Sequence, residues 1–486
     1  MNSYQYALIF AWGLLVLCSF VGWGAVANRL AGRPAGDRPD LGLCAGWGMA
    51  LSLAVGGLAS LLGVATAGFA IFYVLVGVVI LVGAWMGRRL PAEFFTSPRF
   101  LVACASAVFV LIRYAAWVHA IDRDCNDDDI AYFAFVARLL DTGTLIEPFS
   151  LRRLAAGYGG QTFLQSLIVA VGSETNAMLT DRGIAVAVCF ALVLGLFPSR
   201  RPVHYAFALI LTVVVPFPVL NSASHITGLA MFLTLFRTFL IVGDPADAAP
   251  GHLWLSGLVM AGTASLRPHF GFVVAVMAVG YWFYCYRRRS GGTPRYFTSL
   301  LGAGLASSIF LAPWMILSYV SSGSALYPLF KGNHRPDIDY FNAATDIATV
   351  GASFADFFTS VEILFFVPLI FGGRFRKHGA VLAFYAGAFV GTIAVLVAFT
   401  NSDTVSISRY VHPFVAAAFI AAMATLLNVV RADGARIGDA VLICLAVLLA
   451  PFIAAKDLGR IHDAWGKSLI ESDQRTAYAD LQAAIP

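Results

Sequence analysis

Apolar runs long enough to cross a bilayer follow one another along almost the whole chain. A spanning helix needs roughly 20 apolar residues, and we count about fourteen such runs separated by polar segments. Lipid offers the backbone no hydrogen-bond partners, so a run of this kind must pair its own N–H and C=O groups as a helix. The sequence therefore predicts an all-α fold, a polytopic transmembrane helical bundle.

The composition agrees with a protein that lives in a membrane. Hydrophobic residues make up 59% of the 486 and charged residues only 12%, whereas soluble domains carry about 25% charge. The first apolar run has no basic segment before it, so we expect it to span and not to be a cleaved signal. Of the seven cysteines only Cys125 lies in a polar loop, which gives no sign of a disulfide framework.

Basic residues predict the orientation of the bundle. Short cytoplasmic loops are enriched in Lys and Arg. With fourteen spans and an external N-terminus, all six basic loops fall on the cytoplasmic side; they lie at 29–38, 88–99, 200–201, 287–295, 374–377 and 431–436. Arg237, near the cytoplasmic end of its run, is expected to snorkel toward that surface.

The external face then receives two large polar loops, at 122–182 and 321–358, and a short tail at 456–486. Within the first loop, residues 128–141 are predicted to form an apolar helix that ends at Gly143. Such a helix should lie in the interface plane. A second apolar stretch at 162–171 is expected to extend it into a ledge along the membrane surface.

Three consecutive carboxylates, Asp127, Asp128 and Asp129, stand at the start of that helix. One acid is explained by capping or by the helix dipole. Three adjacent acids repel one another and are partly desolvated beside lipid, which raises a carboxyl pKa and suits a general base. We therefore predict that at least one is catalytic, with capping and solvation as the alternative.

Isolated cations near the external surface are candidate phosphate ligands because Arg binds phosphate in a bidentate manner. They are Arg267, Arg409, Arg152, Arg153 and Arg113, and the alternative for each is snorkelling or pairing with a loop acid. Lys331 and His334, beside Tyr327, either bind an anionic head group or are simply solvated.

The sequence gives no sign of a dedicated metal site. No HxxxH, HExxH or CxxC occurs, so no metal ligand set is assigned and no cofactor is expected. A divalent Mg or Mn ion suits carboxylates in general, but the acids alone do not specify one.

Together these features resemble the GT-C superfamily of membrane glycosyltransferases, of the aminoarabinose transferase and protein mannosyltransferase type. The similarity rests on the acidic pair Asp127-Asp128, on Tyr132 and Thr142-Gly143 after it, and on the segments 147–153, 159–161, 266–268, 323–330 and 409–413. It covers about 100–430 and looks like a bacterial branch of the superfamily. The chain lacks the large C-terminal soluble domain of the oligosaccharyltransferase kind, which argues against a reader of peptide sequons.

The resemblance implies a catalytic core at 100–455, preceded by three accessory helices at 1–99. It implies transfer of a sugar from a polyprenyl-phosphate donor to a glycan, lipid or protein acceptor, with inversion, on the periplasmic face of the bacterial inner membrane. The bilayer is the other partner, and no nucleic acid is expected.

The resemblance implies that Asp127 and Asp128 are the catalytic pair and that Asp129 interacts with the helix dipole. Residues assigned to the acceptor and donor loops are Tyr132, Gln161, Tyr327, Lys331 and His334. Two other functions stay open. One is a transporter or flippase of a lipid-linked or anionic substrate, whose ionisable residues should lie near the midplane. The other is a polymerase or ligase of surface polysaccharide.

Overall fold

The structure, a computed structural model, describes residues 3–32, 40–85, 98–118, 132–146, 157–197, 201–214, 224–288, 293–327, 347–359, 361–398 and 404–433. Across these ranges the chain forms helices and the turns between them, with no β-strand. The predicted all-α class is confirmed. Several predicted features lie outside the described residues. They are the acidic run 127–129, residues 328–346 of the second external loop, the last predicted span near 437–455 and the tail.

Sixteen α-helices are described in these ranges. In chain order they are α1 (Ser3–Leu30), α2 (Leu41–Leu61), α3 (Ala67–Trp85), α4 (Pro98–Trp117), α5 (Ala134–Thr142), α6 (Gly160–Val169), α7 (Ala185–Leu194), α8 (Pro202–Val214), α9 (Ile226–Val242), α10 (Pro250–Leu266), α11 (Pro268–Arg288), α12 (Thr293–Ser322), α13 (Ile347–Thr359), α14 (Gly372–Phe375), α15 (Gly379–Ala398) and α16 (Thr404–Asp433). Short 3-10 helices lie at Glu174–Asn176 and Val361–Phe371, and one π-helical turn lies at Thr180–Ile184.

Eight helical segments of the described chain are long and apolar enough to cross a membrane, so the protein is a multi-pass membrane protein. They are Ser3–Leu30, Leu41–Leu61, Ala67–Ala84, Glu174–Leu194, Pro268–Arg288, Pro294–Ser322, Gly379–Val397 and Tyr410–Asn428. Several other predicted runs form shorter helices; α9 and α10, for example, have 17 residues each.

Packed helices run in opposite directions, which gives the bundle two distinct ends. Along α11 and α15, for example, Gly379 meets Tyr284, Gly387 meets Met277 and Gly391 meets Val273. We call the end that holds the α10–α11 turn the Arg267 end. The opposite end, where α9 finishes, is the Arg237 end.

The basic loop residues that the structure describes gather at the Arg237 end. Arg29 lies in the last turn of α1, and Arg287 and Arg288 lie in the last turn of α11. Arg374 and Lys377 lie just before α15, which starts at the same end. The charge asymmetry expected from the sequence is thus present in the fold.

An ion pair fixes the Arg237 end and corrects one expectation. Arg237 does not snorkel. Its Nη1 and Nη2 donate to the two carboxylate oxygens of Asp40 at 2.8 Å each, and the side chains are only 11% and 13% exposed. Asp40 also accepts the N–H of Leu43 and so caps α2. The arginine pairs because a bidentate carboxylate is within reach and bulk solvent is not.

Helix α2 lies at the centre of the bundle. It packs against α1, α6, α7, α9, α10 and α12, and most of its residues are buried. Glycines allow this contact: a Cβ at Gly24 would overlap the carbonyl of Cys44, and a Cβ at Gly48 would overlap that of Phe20. Small residues are the usual means by which membrane helices bring their backbones together.

The first predicted external loop differs in part from expectation. Gly143 ends α5 as predicted, with φ 74° and its N–H donated to the carbonyl of Leu139. Helix α6, by contrast, is buried along all ten residues and is not an exposed ledge. The helical segment Glu174–Leu194 also begins inside the range 122–182, because polar residues near its start are buried by neighbouring helices.

The α1–α2 contact gives a direct test of packing. We expect Gly48→Ala to lower the free energy of unfolding by about 1–3 kcal/mol, because the new methyl group must push two backbones apart. Gly83→Ala, in α3 with no atom near its Cβ position, is the matched control. It should be neutral or slightly stabilising, since alanine favours helix more than glycine does. Thermal unfolding of the purified variants measures both; equal stability of the two would contradict the packing described.

Candidate functional site

A single residue, Arg267, joins α10 to α11 at the Arg267 end. Its backbone is extended, with φ −152° and ψ 142°. The residue before a proline avoids the helical region, and Pro268 suits the first position of a helix. The Leu266-Arg267-Pro268 sequence therefore ends one helix and starts the next with no intervening loop. This turn carries a charged side chain into the bundle.

The Arg267 guanidinium is buried and incompletely paired. The residue is 3% exposed, its Nε donates to Ser224 Oγ at 3.3 Å, and its Cζ lies 5.0 Å from the centre of the Tyr410 ring. Among the described residues, Nη2 has no acceptor and no carboxylate lies within 4 Å of the guanidinium. A buried charge is costly unless paired, so the site as described lacks one anionic or acceptor group.

A second unpaired polar group lies next to this turn, on α6. Gln161 is 4% exposed, and neither its Oε1 nor its Nε2 has a partner in the part of the chain that the structure describes. Helix α6 approaches the turn closely: the Gly157 Cα faces the Leu266 carbonyl, and the Gly160 Cα faces Ser265. Gly157 also has φ 154°, which favours glycine.

The first backbone N–H groups of α6 add donors at the same place. Phe163 N–H bonds to the carbonyl of Gly159, but the N–H groups of Gly160, Gln161 and Thr162 have no acceptor within the described ranges. A helix N-terminus carries partial positive charge and binds anions. Burial raises the pKa of the nearby Tyr158 phenol to about 12.

Contacts with Tyr410 hold the start of α16 against this turn. His269, in the first turn of α11, bonds through Nε2 to the Tyr410 carbonyl at 3.1 Å, while the Tyr410 ring contacts Arg267. The structure thereby brings the backbone of Arg409, another predicted phosphate ligand, next to the Arg267 turn.

Sequence reasoning missed the residue that positions the acceptor of Arg267. Asp181, predicted to lie in an external loop, is buried in the π-helical turn. Its Oδ1 accepts both the N–H and the hydroxyl of Thr227 at 2.8 Å. These bonds cap α9, and Ser224 lies just before that helix. One sequence feature could have indicated its burial: Asp181 stands at the start of a long apolar run.

Other predicted site residues lie elsewhere or outside the description. Tyr132 is buried in a small cluster with Val136 and Met178, so packing is its visible role. Tyr327 is buried just after α12. The predicted residues outside the described ranges are Asp127, Asp128, Asp129, Arg152, Arg153, Lys331 and His334. Across the ranges that are described, no group of three potential metal ligands comes together.

No protein-family model matches this sequence, and no curated protein matches it.

The unpaired amide of Gln161 predicts an unusual gain in stability. An unsatisfied buried polar group costs about 1–3 kcal/mol, so Gln161→Leu should raise the free energy of unfolding of the ligand-free protein. Gln165→Leu, one turn further along α6, is the comparison: Gln165 takes part in an interaction and only its Oε1 has no hydrogen-bond partner, so its replacement should lower stability or raise it less. Thermal unfolding in one detergent compares them. Destabilisation of both variants to the same degree would show that Gln161 is an ordinary packing residue.

Proposed function

We propose that the protein is a membrane glycosyltransferase of the GT-C type. It would move a sugar from a polyprenyl-phosphate donor to a glycan, lipid or protein acceptor at the external face, inverting the anomeric centre. The observation that carries this proposal is the buried guanidinium of Arg267, with one nitrogen unpaired among the described residues.

A phosphate fits the unpaired groups of this site better than a neutral ligand does. Arginine presents two parallel N–H donors to phosphate oxygens, and the start of α6 offers three further N–H groups. The anion would also offset the charge of Arg267, which costs free energy while it is unpaired. The Gln161 amide can both donate and accept, as hydroxyl recognition on a sugar requires.

The distribution of basic residues supports an external location for the Arg267 end of the bundle. Basic loop residues concentrate at the Arg237 end, which marks the cytoplasmic side by the positive-inside rule. The Arg267 end would then face outward, with fourteen spans in total and the catalytic core at 100–455. The donor's prenyl chain would lie against the apolar surface between helices.

In the proposed reaction the acceptor hydroxyl attacks the anomeric carbon of the donor. Asp127 or Asp128 takes the hydroxyl proton, a C–O bond forms to the acceptor, and the bond from the anomeric carbon to the phosphate oxygen breaks. The polyprenyl phosphate leaves with the electron pair. Arg267 stabilises the charge that develops on it, with Arg409, Arg152 and Arg153 as further cations. The loop 321–358 would cover the site and exclude water, since hydrolysis competes.

Replacement of Arg267 tests the phosphate assignment. Loss of a charged hydrogen bond costs about 1.5–3 kcal/mol, so Arg267→Lys should lower kcat/KM for the donor about 10- to 100-fold and Arg267→Gln should lower it further. Arg29→Gln, an exposed cation at the opposite end, is the control and should keep wild-type transfer. The assay uses purified protein in liposomes with a polyprenyl-phosphate sugar, scoring transfer and substrate movement separately. Movement without transfer would favour a flippase; wild-type transfer by Arg267→Gln would exclude the assigned role.

Neutralising the acidic run tests the base. We expect Asp127→Asn or Asp128→Asn to reduce kcat about 10²- to 10⁴-fold, the usual contribution of general base catalysis. Asp141→Asn, an exposed acid at the end of α5, removes the same charge and should have little effect. Folding of each variant is verified by thermal unfolding. If both acidic variants fold and transfer sugar at the wild-type rate, the mechanism is wrong.

A further inference from the structure

A cavity of about 420 Å³ lies at the Arg237 end, far from the Arg267 turn. It is formed by the ends of α9 and α11, the start of α15 and one side of α16. The lining residues are Leu240, Gly243, Asp244, Tyr281, Tyr284, Cys285, Arg288, Lys377, His378, Gly379, Ala380, Val381 and Thr425. Its volume falls in the range of small-molecule sites.

One wall of this cavity carries a fixed cation. The Arg288 Nη1 donates to the Tyr284 hydroxyl at 3.0 Å and to the Lys377 carbonyl at 3.4 Å, and the guanidinium lies 5.7 Å from the Tyr284 ring centre. The Tyr284 hydroxyl in turn donates to the Arg376 carbonyl. These bonds hold Arg288 against the backbone of Lys377, and both residues line the cavity.

The start of α15 adds backbone donors to that wall. Gly379 and Ala380 are buried and line the cavity, and they are the first two residues of α15, where backbone N–H groups have no acceptor within the helix. They begin a 20-residue helix, whose N-terminus carries partial positive charge. Glycine is required at 379 because a Cβ there would overlap the Tyr284 ring.

The ionisable groups around the cavity decide which ligand charge it favours. Burial, then Arg288 and Lys377, lower the pKa of His378 below its ordinary value. Asp244 lies on the facing wall, and its oxygens accept the Ala246 N–H and the Tyr296 hydroxyl. These two hydrogen bonds hold the Asp244 carboxylate against its own loop and α12.

We propose that this cavity binds a phosphate group at the face opposite the catalytic site. The described lining combines Arg288, Lys377 and the N-terminus of α15, which favour phosphate oxygens, with a single carboxylate, that of Asp244. The phosphate belongs either to a lipid headgroup or to a soluble ion. Leu240 lines the cavity and is 52% exposed on the outer surface of the bundle, which suits a headgroup whose chains lie in the bilayer. The site does not depend on the proposed transferase activity.

Lipid binding by the full-length protein tests this site. Native mass spectrometry of detergent-purified protein would compare short-chain phosphatidic acid with phosphatidylcholine of the same chain length. We expect wild-type protein to prefer phosphatidic acid at least about tenfold, and the Arg288→Gln/Lys377→Gln double variant to lose that preference. Arg374→Gln/Arg376→Gln is the matched control: it removes the same charge from the same region, but neither residue lines the cavity. Loss of the preference in both double variants would reduce the effect to general surface charge and overturn the proposal.

A measurement on the wild-type chain covers the case in which a variant fails to fold. Cys285 lines the cavity, while Cys104 is exposed on α4 outside it. Phosphatidic acid should slow alkylation of Cys285 by N-ethylmaleimide about tenfold and leave Cys104 unchanged. Protection by inorganic phosphate as well identifies a soluble anion as a ligand, and protection by the lipid alone identifies the headgroup. Equal alkylation of Cys285 with and without both probes would refute the site.

Discussion

Polar atoms inside this bundle depend on the protein for partners, because the surrounding lipid supplies none. Many buried hydroxyls find a partner in their own helix. Thr234, Thr238 and Thr263, for example, each donate to the backbone carbonyl one turn earlier. Trp47 reaches across to Thr238, and Trp314 reaches the Leu53 carbonyl. Several other buried polar atoms, such as Ser19 Oγ, also have no partner in the described chain, but Arg267 and Gln161 are set apart because both lie beside one turn.

Helix content followed from the sequence because length and apolarity alone decide it in lipid. The end of α5 at Gly143 was also predictable from local sequence, because a glycine readily adopts the left-handed conformation that ends a helix. The Asp40–Arg237 pair was not, because its members are separated by most of the first half of the chain and only the packing of α2 on α9 joins them. The burial of α6 escaped prediction because an apolar stretch of ten residues suits a membrane surface and a helical core equally well.

Two of the residues expected at the candidate site, Arg267 and Gln161, lie beside the same turn. Their residue types suggested polar recognition, but their lack of partners emerges only when the neighbouring helices are in place. Asp181 shows the converse. From the sequence it is an acid near the end of a predicted loop. In the structure its carboxylate accepts the backbone N–H of Thr227 in α9, 46 residues further along the chain. Nothing local to residue 181 encodes that contact.

The turn at Arg267 also constrains the order in which the protein matures. Its surroundings come from α6, from the segment before α9, from α10 and α11, and from Tyr410 in the last described helix. A ribosome releases these parts at widely separated times, so the contacts around Arg267 are incomplete while the chain is still being inserted. The half-made protein thus holds α2, α6 and α10 in the membrane with the Arg267 side chain still lacking its aromatic neighbour. The contacts around Arg267 are therefore completed only after residue 410 has been synthesised, late in the production of the chain.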